Sequence, residues 1–396
     1  MRDLVGEAAL IAKSAGRVYC KFLAANDTGK TGGHQSGIYI AKKSASILMG
    51  KEGQRGDNKD LDVKITWHGN PDITTESKFR YYGNKTRNEY RITAFGRGFP
   101  YLQEEYTGAL FVLFQMTMEQ YDAFVFNDEE TINEFLDIFN ISSTETNELI
   151  DNDKLTAAGA EHDEIMNFIH SLDVEFPTSE DMSAEARRIE DEIHDPTGKG
   201  DKDVDRKLIQ WTNEEYRIFR ALEKERYGAK ISNGFSNFED FILTANKVLN
   251  RRKSRAGKSL ENHLEALFKR NNLQFTPQGE TEGHKRPDFI FPSVEAYHNP
   301  DFPADKLITL AAKTTCKDRW RQILNEADRR KGKDIFLCTL QQSISADQLK
   351  EMEEEHVILV VPEPYIRKYP SEYKEKIWSL EKFISYVKNI ESLCDQ

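Results

Sequence analysis

Arg286-Pro287-Asp288-Phe289-Ile290-Phe291, followed after a polar, turn-rich passage by Leu307-Ile308-Thr309-Leu310-Ala311-Ala312-Lys313-Thr314-Thr315, decides how the C-terminal half of this chain is read. Pro287 ends a loop, and the Phe-Ile-Phe run after the acid predicts a short buried strand. The second run predicts another strand, broken by one cation. A lysine on an apolar strand is costly unless something anionic meets it. Carboxylates holding a divalent ion beside a scissile phosphate, with a lysine to orient the attacking water or neutralise the oxyanion, explain that cost by function. The pattern points to metal-assisted phosphodiester cleavage.

Nucleases of the Pro-Asp…(Asp/Glu)-X-Lys type usually carry a second acid two residues before the lysine, and Ala311 stands there instead. Downstream, Arg319-Trp320-Arg321-Gln322-Ile323-Leu324-Asn325-Glu326-Ala327-Asp328 predicts an amphipathic helix with Trp320, Ile323, Leu324 and Ala327 on one side. Such a helix, packed beside the strand, could supply the missing acid as Glu326. A glutamate relocated in this way resembles the arrangement in restriction endonucleases that recognise CCGG or CCNGG-type sites.

With 396 residues, 38% hydrophobic and 31% charged, the chain has room for two domains with separate cores. No apolar run approaches the roughly 18 residues of a membrane span, and Met1–Glu7 lacks the form of a secretory signal. Cys20, Cys316, Cys338 and Cys394 are widely separated, which predicts a reduced, cytoplasmic protein without structural zinc. The nine histidines form no metal-binding pair in a convincing acidic setting. The net charge of −12 argues against nucleic acid until it is divided along the chain. Residues 1–114 hold 17 basic against 12 acidic residues, 115–206 hold 6 against 26, and 207–396 hold 32 against 29. The acidity belongs to the middle.

The first part predicts short strands at Tyr39-Ile40, Leu61–Trp67, Tyr90–Thr93 and Ala109–Phe114, an all-β, barrel-like module. Helical spacing follows around 131–140, 144–150 and 161–171. Val174–Asp181 reads as a boundary leading into a helix over Met182–Ile193. The remainder alternates long helices with short strands, as in an α/β nuclease core. Ala256-Gly257-Lys258-Ser259 looks like the end of a P-loop, but Arg252 occupies the position of the required first glycine. A phosphate-contacting basic segment followed by a helix capped at Ser259 accounts better for it, with Leu260, Leu264, Leu267 and Phe268 on the buried face.

Asn250–Glu261 and Ala312–Asp328 resemble, nearly residue for residue, the C-terminal domain of the EcoRII-type restriction endonucleases. Ala25-Asn26-Asp27-Thr28-Gly29, Thr31-Gly32-Gly33-His34-Gln35 and Lys85–Thr93 resemble the N-terminal effector domain of the same family. The resemblance implies a B3-like pseudobarrel effector domain over 1–173, a linker at 174–181 and a restriction-endonuclease-like catalytic domain over 182–396. It implies Glu261, Asp288, Lys313 and Glu326 as the active site, with Asp288 and Glu326 holding Mg²⁺. It further implies a homodimer acting on double-stranded DNA, a CCWGG site cut before the first cytosine, and a cognate cytosine methyltransferase.

Arginine can donate twice to guanine and aspartate can accept from cytosine, so Asp318-Arg319 can read one G·C pair. The resemblance makes Lys317, Asp318 and Arg319 the readers of the outer pairs. Lys85, Arg87 and Arg91 alternate as on one face of a strand, with Glu89 among them. His34 and Tyr39 come from the glycine-rich segment, and Arg97 offers a further phosphate contact. Tyr90 and Phe95 depart from the residues expected of this arm. The runner-up functions are a DNA-binding regulator whose nuclease-like half is inactive, and a repair nuclease of similar core.

Overall fold

The computed structural model describes residues 2–28, 37–50, 53–69, 71–84, 87–139, 141–150, 160–195, 203–317, 319–325, 329 and 332–394. The chain forms two compact units, one of Met1–Asn152, Gln341–Lys350 and Arg367–Lys374, the other of Asp153–Leu340, Glu351–Ile366 and Glu375–Gln396.

The first unit is built on β1 (Arg17–Phe22), β2 (Ile38–Ile40), β3 (Asn58–His68), β4 (Ile73–Tyr82), β5 (Glu89–Thr93), β6 (Leu110–Gln115), β7 (Gln120–Phe126) and β8 (Glu148–Ile150). They make one sheet in the order β2-β5-β4-β3-β7-β6-β1-β8, antiparallel except for the β3–β7 pair. Strand β6 is buried along its whole length because both of its faces are covered. Phe111 and Leu113 enter one core with Trp67, Phe79 and Ile92, while Leu110, Val112 and Phe114 enter another with Phe22, Phe124 and Phe135. Alternation along a strand puts successive side chains on opposite faces, so a continuous apolar run is what two cores require. Helices α1 (Leu4–Ala12) and α2 (Glu129–Ile138) cover the second core, each started by an aspartate, Asp3 or Asp128, that accepts a first-turn backbone N–H.

The predicted helix at 144–150 is not formed. Ser142 and Glu145 make a reciprocal capping box around a single 3₁₀ turn, and Glu148–Ile150 then pair with β1 as the edge strand β8. Segments from the far end of the sequence complete this unit. Gln341 Nε2 donates to Gly108 O at 3.1 Å, and Gln342 Nε2 donates to Ser143 O at 2.7 Å and Thr146 Oγ1 at 2.8 Å. Gly108, at φ +83°, would place a Cβ 2.4 Å from Ser343 O, so only glycine admits this approach.

The second unit carries α3 (Ala160–Ser171), α4 (Ser179–Ile189), α5 (Val204–Asn233), α6 (Phe238–Arg270) and α7 (Val294–His298). Its sheet follows the order β13-β12-β11-β10-β9, from β9 (Thr276–Pro277), β10 (Phe289–Phe291), β11 (Ile308–Lys313), β12 (Ile335–Thr339) and β13 (Val357–Val360). The β11, β12 and β13 strands run parallel, while β10 is antiparallel to both its neighbours. Helix α8 (Ala346–Glu354) begins in the first unit and ends in the second, while α9 (Glu363–Ile366) and α10 (Leu380–Cys394) belong to the second. Leu208 and Trp211 of α5, Leu260, Leu264 and Phe268 of α6, and Phe383 and Val387 of α10 bury one face of the sheet. Asp205 ties α5 to the start of α10, accepting from Leu380 N at 2.8 Å and Glu381 N at 3.0 Å.

Ile165 and Ile169 of α3 pack against Met182, Ala186, Ile218 and Leu222 of α4 and α5, so this helix is held by the second unit. The basic run 251–258 does not precede a helix capped at Ser259. Helix α6 starts at Asn237, whose side chain accepts from Asp240 N, and Ser259 lies buried in its interior. Arg251 pairs with Glu175 at 3.0 Å and Arg252 with Glu223, while Arg255 stacks 3.6 Å from the Tyr216 ring centroid. These partners come from other segments and engage the run's three arginines within the fold, while Lys253 and Lys258 stay exposed. Among the described residues, no helix is long and apolar enough to cross a membrane.

Candidate active site

The pairing of β10 with β11 sets Phe289 opposite Leu310, which puts Asp288 opposite Ala311 at the next position. Side chains two apart on a strand share a face, so Lys313 projects on the same side as Ala311 and Asp288. The methyl of Ala311 thus occupies the place where an acid-X-lysine motif would set a carboxylate. Phe289, Leu310 and Ala312 face the core on the other side of the sheet. This alternation brings the lysine of an apolar strand to the site and leaves it half-buried.

Glu261 reaches the same place from α6. Gln278 Nε2 lies 2.8 Å from Glu261 Oε2 and 2.8 Å from Asp288 Oδ1, so one amide group bridges the two carboxylates. Ala312 N donates to Asp288 Oδ2 at 2.7 Å, and Lys258 Nζ donates to Glu261 Oε2 at 2.8 Å. Burial lifts the Glu261 carboxyl above its usual range and the Asp288 charge adds to the effect, against the opposing pull of Lys258 and Gln278. Such a carboxylate gains from a nearby cation. The all-oxygen donor set fits a hard divalent ion such as Mg²⁺.

Gln278 was not among the sequence candidates. It sits at φ +50° and its N–H donates to Asp288 O at 3.0 Å, a local turn geometry that composition does not announce. Glu326 lies outside the described residues. The segment before it, predicted as an α-helix, is a 3₁₀ helix over Arg319–Asn325, with Trp320 and Ile323 buried as expected. Asp318 is also outside the described residues, and only the backbone of Arg319 is described. Lys317 is 4% exposed and has partners inside the fold.

In the first unit the strand register lines up Tyr39 of β2, Arg91 of β5, Arg80 of β4 and Asp60 of β3 across the sheet. Arg91 is 9% exposed and donates to Glu89 Oε2 and Gly37 O, both at 3.4 Å. Arg80 makes two hydrogen bonds to Asp60, at 2.8 and 2.6 Å. Arg87 is exposed, with its guanidinium 5.5 Å from the Tyr82 ring centroid, and Arg97 is exposed. Tyr39 is fixed through its backbone. Its N–H donates to Asp27 Oδ1 at 2.8 Å and its carbonyl accepts from Lys21 Nζ at 2.9 Å. Lys21 and Asp27 form a buried ion pair at 2.6 Å. The register thus joins Tyr39 and Arg91 to Arg80, which sequence reading missed along with all of β4, and Glu89 enters through its bond with Arg91. His34 and Lys85 lie outside the described residues.

A mixed five-stranded sheet between helices, with an acid entering one strand and a lysine leaving the next, defines the second unit as a nuclease core of the restriction-endonuclease type. Residues 219–384 match the family described as EcoRII C terminal, and residues 12–145 match restriction endonuclease EcoRII, N-terminal. The chain is 38% identical over 389 residues to the type II restriction enzyme EcoRII of Escherichia coli, covering 93% of each. It is 28% identical over 117 residues to the type II restriction enzyme SsoII of Shigella sonnei, covering 28% of this chain and 37% of that one. Metal-depleted Ecl18kI in complex with uncleaved, modified DNA superposes with a TM-score of 0.46 at 18% identity, covering 59% of this chain and 84% of the other. The protein belongs to the EcoRII family of type II restriction enzymes.

Proposed function

We propose that the protein makes Mg²⁺-dependent double-strand cuts in DNA at a short palindrome, CCWGG cut before the first cytosine, under control of its N-terminal region. The observation that carries the chemistry is the bridged Glu261–Gln278–Asp288 cluster beside Lys313. Asp288 and Glu326 would hold the metal, with Glu261 completing the carboxylate cluster. The bound ion would supply Lewis-acid stabilisation of charge on the phosphate oxygens. Lys313 would orient the attacking water, the Asp288 carboxylate stays aimed by the Ala312 N–H, and Gln278 ties the two acids together. In-line attack at phosphorus would leave 5′-phosphate and 3′-hydroxyl ends. Lys317, Asp318 and Arg319 would read the outer base pairs. A palindrome cut on both strands calls for two copies of the catalytic domain, hence a homodimer, and a cytosine methyltransferase would protect the host site.

The first unit would be an effector module of the B3-like pseudobarrel kind, binding a second copy of the site through His34, Tyr39, Lys85, Arg87, Glu89, Arg91 and Arg97. It would restrain cleavage until that copy is bound. The functional division is placed at 174–181, with 1–173 as effector region and 182–396 as catalytic region, although α3 is held structurally by the second compact unit. Cleavage of plasmids with and without CCWGG, with Mg²⁺ and with chelator, tests the reading. Site-dependent double-strand cuts in Mg²⁺ alone are expected, and indiscriminate nicking or specific binding without cleavage would overturn it.

A further inference from the structure

Outside the candidate active site, the helices of the second unit bring together a second set of metal-competent groups. Glu161 of α3, His194 at the end of the π-helical turn Glu190–His194 that continues α4, and Glu214 of α5 offer ligand atoms that all lie within 4.8 Å of one another. His194 Nε2 is 3.1 Å from Glu161 Oε2. Arg217 Nη1 reaches Glu161 Oε1 at 2.9 Å and Glu214 Oε2 at 2.8 Å.

Two independent observations show that this set is under-satisfied as it stands. The Glu214 side chain is fully buried, and its Oε1 has no hydrogen-bond partner. Glu190, one turn before His194 and 3% exposed, accepts no side-chain hydrogen bond among the described residues, while its charged neighbours are His194, Arg217, Lys207 and Glu161. A buried carboxylate oxygen without a donor is expensive. The other acids of this segment are engaged, since Asp191 and Asp195 accept from Lys207 at 3.0 and 2.8 Å. Glu161, Glu190 and Glu214 thus crowd three carboxyl groups around the Arg217 guanidinium, with Glu190 and Glu214 closed to water. A divalent cation would relieve that crowding.

We propose that Glu161, His194 and Glu214, with Glu190 beside them, form a binding site for one divalent transition-metal ion of the zinc class, pinning α3 to α4 and α5. One imidazole nitrogen with carboxylate oxygens is a donor set that such ions accept and that Mg²⁺ does not favour. These ligands escape sequence motifs because they lie 33 and 20 residues apart on three separate helices.

The test uses full-length Asp288→Ala protein, so that binding at the candidate active site is suppressed, stripped with chelator and titrated with Zn²⁺ alone by calorimetry. About one equivalent of Zn²⁺ should bind, raise the melting temperature and slow amide exchange in α3. His194→Gln and Glu161→Gln, made in the same background, should each weaken Zn²⁺ about tenfold or more. His194 is 39% exposed, so its variant keeps the metal-free melting temperature and separates ligand loss from misfolding. Zn²⁺ affinity unchanged in both variants, no Zn²⁺ binding at all, or an equal response to Mg²⁺ that ignores His194 would each overturn the proposal.

Discussion

Replacing Lys368 by methionine should remove a pH dependence from the docking of the returning segments in the first unit. The Lys368 ammonium donates to Gln342 Oε1, close to Lys21, Arg367 and Lys43. Burial, reinforced by those like charges, pulls its pKa down from 10.5 to about 7. Between these values the unfolded or undocked chain binds the extra proton, so docking is strongest above the free pKa and weakens as pH falls through the docked one. Below about pH 7 the accumulated penalty is at most about 5 kcal/mol, at 1.36 kcal/mol per pH unit, and less where water reaches the half-buried side chain. Between about pH 8.5 and about pH 6.5 the wild type should lose roughly 2 kcal/mol, a factor of about 30 in the opening equilibrium. Hydrogen exchange of amides in 341–344 and 367–370, corrected for intrinsic rates, reads this directly. Methionine also removes the bond to Gln342, which shifts both pH values alike and leaves the slope as the diagnostic. An equal pH response in Lys368→Met and wild type would refute the reasoning.

Asp288→Ala, Lys313→Ala and Glu326→Ala should each abolish cleavage while leaving specific binding in Ca²⁺ largely intact; near-normal turnover in Glu326→Ala would move the missing acid elsewhere. Arg319→Ala should cost about 1–3 kcal/mol of discrimination at the outer base pairs, measured by competition binding, whereas uniform weakening with a shallower salt slope would assign it to phosphate. A fragment beginning at residue 153 should cleave single-site DNA faster than the full chain, and added site duplex should stimulate only the full chain; equal rates would remove autoinhibition. A fragment beginning at 178 should melt lower than the one from 153, because it loses the Ile165 and Ile169 contacts with α4 and α5.

The elements legible in the sequence are those whose neighbours matter least. Phe289–Phe291 and Ile308–Lys313 are short apolar runs bounded by polar turns, and β6 is uniformly apolar because it separates two cores. Strand β4 escaped because Thr75 and Ser77 hold two of its inward positions, bonded to each other while Trp67 Nε1 donates to Thr75, and so blur the alternation. The unbroken course of α6 was hidden for a different reason. Its basic run looks like a surface for phosphate until Glu175, Glu223 and the Tyr216 ring are brought to it by other segments. At the site, Asp288 and Lys313 announce themselves by being charged in apolar strands. Glu261 does not, since a glutamate on a helix is ordinary until the fold sets Gln278 and Asp288 beside it.

The return of residues 341–350 to the first unit also fixes an order of events during synthesis. About 190 residues separate Asn152 from Gln341, so at ~5–20 residues per second the N-terminal sheet waits roughly 10–40 s on the ribosome for its last pieces. Throughout that interval the carbonyls of Gly108 and Ser143, which Gln341 and Gln342 later cap, are left to water. The first unit is begun first but closed late, and its closing contacts form only after most of the nuclease core, short of α10, has been made.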